Sequence, residues 1–145
     1  MTPVSRVLIV SNDARWQAAV LAGLNAAAAR LHNPLGLCFA SVACSSDALA
    51  QVAHDGELQF VLLDKGMKEQ GLTQPAVELA NQISALRPEL SLYILLQDDD
   101  EKVLMETLAS HAVDGYFYRD EQDFHGWFRI LAAELAEKSA TPFYD

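Results

Sequence analysis

The chain has 145 residues, 51% of them hydrophobic, with two cysteines and a formal net charge of −10 at neutral pH. That length is enough to bury roughly 70% of the surface an unfolded chain exposes, so one domain with its own core is expected, without disulfide or metal staples. The acidic balance argues against a phosphate-backbone partner, which needs a basic face, and no apolar stretch reaches the ~20 residues of a membrane span.

The N-terminus lacks a basic segment followed by a long apolar one, so a cytoplasmic protein is expected. Mutual repulsion between such acidic copies relaxes as carboxylates protonate, and association is therefore expected to strengthen in acid.

Arg6 to Val10 reads as a first strand, and Ser11-Asn12-Asp13 supplies the turn and the N-cap of a helix from about Ala14 to Leu31. The apolar face of that helix is read as Gln17, Val20, Leu21, Leu24, Ala28 and Leu31. Asn33-Pro34-Leu35-Gly36 breaks it, and Leu37 to Ala43 is a second strand, one suited to a sheet edge. Cys38 and Cys44 lie in or beside that strand without a CxxC spacing, which fits buried or semi-buried reduced thiols. Ser45-Ser46 is read as the cap of a short second helix that stops at Gly56.

Leu58 to Asp64 is the most informative stretch. It is an apolar run between turn signals that ends in a carboxylate, the pattern of a strand buried on both faces in a parallel sheet. A third helix follows, with Pro75 in its first turn and Ala76, Leu79, Ala80, Ile83 and Leu86 as its stripe, and it ends at Arg87-Pro88. Leu90 to Leu96 is a fourth strand. Asp98 to Glu101 open a fourth helix, where the macrodipole favours negative charge. Val113 to Arg119 is a fifth strand, and Phe124, Trp127, Phe128, Leu131 and Leu135 form the stripe of a fifth helix.

Strands alternating with helices in this way predict a three-layer α/β sandwich around a parallel sheet with right-handed crossovers. Ligands of such sheets gather at the carboxyl ends of strands, where Asp64 stands. The four histidines fall on separate elements, no Gly-rich phosphate loop or Gly-x-Ser-x-Gly elbow is present, and catalysis by this chain alone is not expected.

The (βα)5 order with Asp64 ending the third strand, together with Val113-Asp114-Gly115-Tyr116-Phe117-Tyr118-Arg119, resembles the receiver domain of bacterial response regulators. The resemblance implies a flavodoxin/receiver-like five-stranded sheet of order 2-1-3-4-5. In that family two acidic residues after strand one and the strand-three aspartate hold Mg²⁺, while a Ser or Thr ends strand four and a Lys ends strand five. Here Asp64 matches the phosphoryl acceptor. Ser11 and Asn12 stand where the acidic pair belongs, Asp13 comes one place later, Gln97 stands near the hydroxyl position and Arg119 at the lysine. Arg keeps the charge but not the compact ammonium. The expectation is a receiver-like shell with a degenerate pocket of Asn12, Asp13, Asp64, Gln97 and Arg119, holding no metal.

The ending Ala140-Thr141-Pro142-Phe143-Tyr144-Asp145, taken with that degenerate shell, resembles the N-terminal wing domain and following linker of bacterial ornithine/lysine/arginine decarboxylases. This implies a receiver-like domain over 1–138 and a linker over 139–145. It also implies a pyridoxal phosphate (PLP)-dependent lyase domain beyond, in which PLP and the catalytic lysine lie, and self-association of the parent enzyme from dimer to decamer. An atypical response-regulator receiver acting through protein contacts is the alternative.

Overall fold

The computed structural model describes residues 4–11, 13–31, 36–64, 76–96, 109, 112–118 and 124–139. Five strands, β1 (Val4–Val10), β2 (Gly36–Val42), β3 (Leu58–Asp64), β4 (Ser91–Leu96) and β5 (Gly115–Tyr118), form one parallel sheet of order β2-β1-β3-β4-β5. The described helices are α1 (Ala14–Ala29), α2 (Ser45–His54), α3 (Ala76–Leu86) and α4 (Phe124–Ser139). The expected α/β sandwich and strand order are both present. The helix expected to begin at Asp98, and the tail from 140 on, lie outside the described residues.

Strand alternation divides the apolar residues between two cores. Val7, Ile9, Phe60, Leu62, Tyr93 and Leu95 face α1 and α4, whereas Leu8, Val10, Val61, Leu63, Leu92 and Ile94 face α2 and α3. A strand covered on both faces has no side left for polar residues, which is why β3 reads as a nearly unbroken apolar run. Its one exposed position, Gln59, marks a shift of register against β1. Arg6 pairs with Leu58, but Val7 pairs with Phe60. That single extra residue carries every later pairing one step along β3, so that Val10 lies opposite Leu63.

The helices depart from the sequence reading where tertiary packing decides. On α1 the buried residues are Trp16, Val20, Leu24, Ala27 and Ala28, so Trp16 replaces Gln17 and Leu21 on the core face. On α3, Leu79, Ala80 and Ile83 are buried, but Leu86 is 53% exposed because the helix ends there, at the edge of its core. On α4, Phe128, Leu131 and Leu135 are buried, together with Ala132. The N-cap of α2 is Cys44, not a serine, and it makes no side-chain cap bond. Cys38 is exposed, contrary to expectation, because it lies on the edge strand β2; its Sγ accepts a bond from Arg6 Nη1 at 3.1 Å.

The amino-terminal rim of the sheet is tied by charge. Arg6 Nε meets Asp55 Oδ2 at 2.5 Å, and the same oxygen accepts from Gln51 Nε2 at 2.9 Å. Arg87, just past α3, donates to the carbonyls of Val52, Asp55 and Leu58 at 2.9–3.3 Å, capping the end of α2 and the turn into β3. These carbonyls include those left unpaired at a helix end, so one guanidinium fastens three elements. In the core facing α1, Tyr93 is hydrogen-bonded to Glu134, and burial holds its phenol far above the usual range, with the neighbouring carboxylate adding to the shift.

Two expected outcomes follow from this packing. A Cβ on Gly23 of α1 would lie 2.2 Å from the buried ring of Phe128, so Gly23→Ala should lower stability by about 1–3 kcal/mol in urea denaturation despite alanine's better helix propensity. The Arg6 guanidinium holds the Asp55 carboxyl below its ordinary value of 3.8. The pair therefore contributes stability above that value and loses it as pH falls through the lower folded-state value. Asp55→Asn should melt below the parent at pH 7, and the gap should close as the solution is acidified below 3.8; an equal gap throughout would contradict this assignment.

Candidate functional site

In this strand order the chain leaves β1 towards β2 on one side and returns to β3 on the other. The crevice between the carboxyl ends of β1 and β3 is thus the switch point at which open parallel sheets place their ligands. Ser11 follows β1 there and Asp64 ends β3. The register shift at Gln59 brings the two level, one step beyond the Val10–Leu63 pair, and both belong to the alternation facing α1. In the original register Ser11 would lie opposite Leu63.

Both residues are inaccessible: Ser11 is 0% exposed and Asp64 1%. The Ser11 hydroxyl donates to Asp64 Oδ2 at 2.7 Å, and its oxygen accepts from the backbone N–H of Asp13 at 3.2 Å. A hydrogen bond to a buried carboxylate contributes about 1.5–3 kcal/mol. The Ser11 backbone N–H donates to the Val42 carbonyl at 3.0 Å, and Gln17 Nε2 donates to the carbonyls of Ser11 and Val42, binding the ends of β1 and β2 to α1.

Asp13 is the N-cap of α1. Its Oδ1 accepts from the Trp16 N–H at 3.1 Å, and its carbonyl accepts from the Gln17 N–H at 2.9 Å. Of the five candidate pocket residues, Asp13 and Asp64 are described, and the Ser11 hydroxyl links them, bonded to the carboxylate of one and the backbone N–H of the other. Asn12, Gln97 and Arg119 lie outside the described residues. Two members of this rim are not singled out as pocket residues from sequence: Ser11, read as part of the turn into the first helix and as a missing acid, and Gln17, read as part of an apolar stripe. The signal for Gln17 was its polarity at a stripe position.

The fold family implies Mg²⁺ at this position, and the described residues do not fit it. A hard divalent cation needs several oxygen ligands with carboxylate charge. Here a hydroxyl replaces one acid and uses its proton on Asp64, while one Asp13 oxygen is committed to the helix N-terminus. Among the described residues no group of three or more His, Cys, Asp or Glu is arranged to hold a metal.

No protein-family model matches the sequence, and no curated protein matches it. Solved structures match it in fold. A CheY-like response regulator receiver domain from Methanospirillum hungatei JF-1 is 17% identical, with 94% of each chain covered and a TM-score of 0.68. A receiver domain from Rhodospirillum rubrum is 14% identical over 91% of this chain and 94% of that one, with a TM-score of 0.68. The signal receiver domain of an HD domain-containing protein from Pseudomonas fluorescens Pf-5 is 19% identical over 99% and 96%, with a TM-score of 0.63. The chain has the receiver fold.

Removing the Ser11 donor to Asp64 should be costly. Ser11→Ala is expected to lower stability by about 1–3 kcal/mol, the cost of taking a partner from a buried acceptor. In a double-mutant cycle with Asp64→Asn the losses should not add, and strict additivity would show that the bond carries no coupling.

Proposed function

We propose that this chain is a receiver-like module that works through protein contacts and does not accept a phosphoryl group. The observation that carries the reading is the buried Ser11–Asp64 hydrogen bond, which occupies the acceptor carboxylate where a phosphorylatable receiver keeps it open to metal and phosphate. The receiver folds of the matching structures support the general class. Arg119 at the lysine position and Gln97 near the hydroxyl position support the loss of phosphoryl chemistry from the sequence side.

A narrower reading has its own support in the tail Thr141-Pro142-Phe143-Tyr144, which resembles the linker after the wing domain of PLP-dependent basic amino acid decarboxylases. Under it the module serves assembly or regulation of such an enzyme, and PLP belongs to a catalytic domain outside these residues. The coding sequence past Asp145 tests it. An open frame running into a Ser-x-His-Lys-type PLP lysine supports the wing reading, and a stop codon refutes it.

The general reading is tested by titrating the protein with beryllofluoride and Mg²⁺ while following its tryptophan fluorescence. No saturable change is expected, and Asp64→Asn should behave as the parent does. A Mg²⁺-dependent change that Asp64→Asn abolishes would identify a working receiver.

A further inference from the structure

The molecule's charge is unevenly placed. Of the chain's 20 acidic residues none lies between Asp13 and Asp47, a span that contains α1 and all of β2. β2 is an edge strand paired to β1 across its whole length, from Val4–Gly36 to Val10–Val42, without a bulge. Natural edge strands are blunted by shortness, by Lys or Pro, by inward charges or by bulges. The sequence of β2, Gly-Leu-Cys-Phe-Ala-Ser-Val, has none of these devices. At the opposite edge, β5 has four described residues.

The outward-facing groups of β2 can be assigned. The Val42 carbonyl accepts from the Ser11 N–H, so it turns towards β1. Within a strand the N–H and C=O of one residue point to the same side and successive residues alternate, so Cys38 and Ala40 also face β1 while Leu37, Phe39 and Ser41 face away from it. Among the described residues no group bonds to the backbone of those three outward positions.

We infer that β2 is a self-association edge, pairing antiparallel with β2 of a second copy about a two-fold axis to make a continuous ten-stranded sheet. A second copy is the occupant because the edge is self-complementary: an uncharged strand meets its own uncharged strand, which is the isologous contact a two-fold dimer requires. In a chain of net charge −10, two copies approach with least repulsion through the acid-free span. Of the two helices packed against β2, α1 shares a core with Leu37 and Phe39 and contains no carboxylate, while α2, which shares a core with Ala40 and Val42, contains one, Asp47. This inference rests on the protein-contact reading and deepens it by naming the partner.

The test is the mass of the 145-residue chain by light scattering and sedimentation over a wide concentration range, for the parent, Ser41→Pro and Ser41→Lys. Ser41→Pro removes an outward N–H without touching the β1 ladder, and Ser41→Lys adds charge at an exposed position. The parent is expected to move from the mass of one chain to that of two as concentration rises, and both variants to remain at one with unchanged circular dichroism. Should the proline variant fail to fold, the lysine variant decides. A parent that stays monomeric throughout, or a dimer undisturbed in Ser41→Lys, overturns the inference. The beryllofluoride titration reads only the Asp64 pocket, so a failure of the dimer is distinguishable from a failure of the functional reading.

Discussion

A buried carboxylate must be given hydrogen-bond donors, and at the carboxyl end of β3 the Ser11 hydroxyl donates to Asp64 at 2.7 Å. The arrangement depends on backbone geometry further down the same strands, where the shift at Gln59 sets the register that brings the two residues level. It also depends on the same hydroxyl accepting from the Asp13 N–H, which fixes the turn into α1, and on Asp13 capping that helix. Strand register, turn and helix start thus converge on one oxygen. In a site meant to bind metal these groups would face an opening. Here the Ser11 hydroxyl is hydrogen-bonded both to the Asp64 carboxylate and to the Asp13 N–H.

The opposite rim is held by a different kind of contact. Arg87 and the Arg6–Asp55 pair lie where α2 ends and β3 begins, and they fasten loops whose carbonyls would otherwise rely on water. Between the two rims the sheet is packed by two largely apolar cores, one of which also holds the Tyr93–Glu134 pair. The acidic residues leave one stretch free of carboxylates, from α1 to the open edge of β2.

The architecture was legible because it depends on periodicity. The unbroken apolar run of β3, the alternation of strands and helices and the aspartate at a strand end each follow from burial on two faces. The site was legible only in part. That Ser11 and Asn12 lack carboxylates can be read directly, but the Ser11–Asp64 bond depends on a register shift that local sequence does not encode, because Gln59 looks like any polar residue at a strand start. Trp16 is not in the stripe read from sequence because its place in the core is set by packing against α4 and the sheet, while Gln17, next to it, is drawn to the strand-end carbonyls. The buried or semi-buried thiol expected from sequence holds for Cys44, which is half-buried, but not for Cys38, because edge strands cover their side chains less well.

The central claim is that the Asp64 pocket is closed to metal by its own hydrogen bonds. Titration of Mg²⁺ into the isotopically labelled protein, followed by amide chemical shifts, addresses it most directly. The account predicts that the amides of Ser11, Asp13 and Asp64 show no saturable shift as Mg²⁺ is raised well beyond physiological levels. A saturable shift centred on those three residues and lost in Asp64→Asn would contradict it, and would mean that the Ser11 hydroxyl yields its place to a cation.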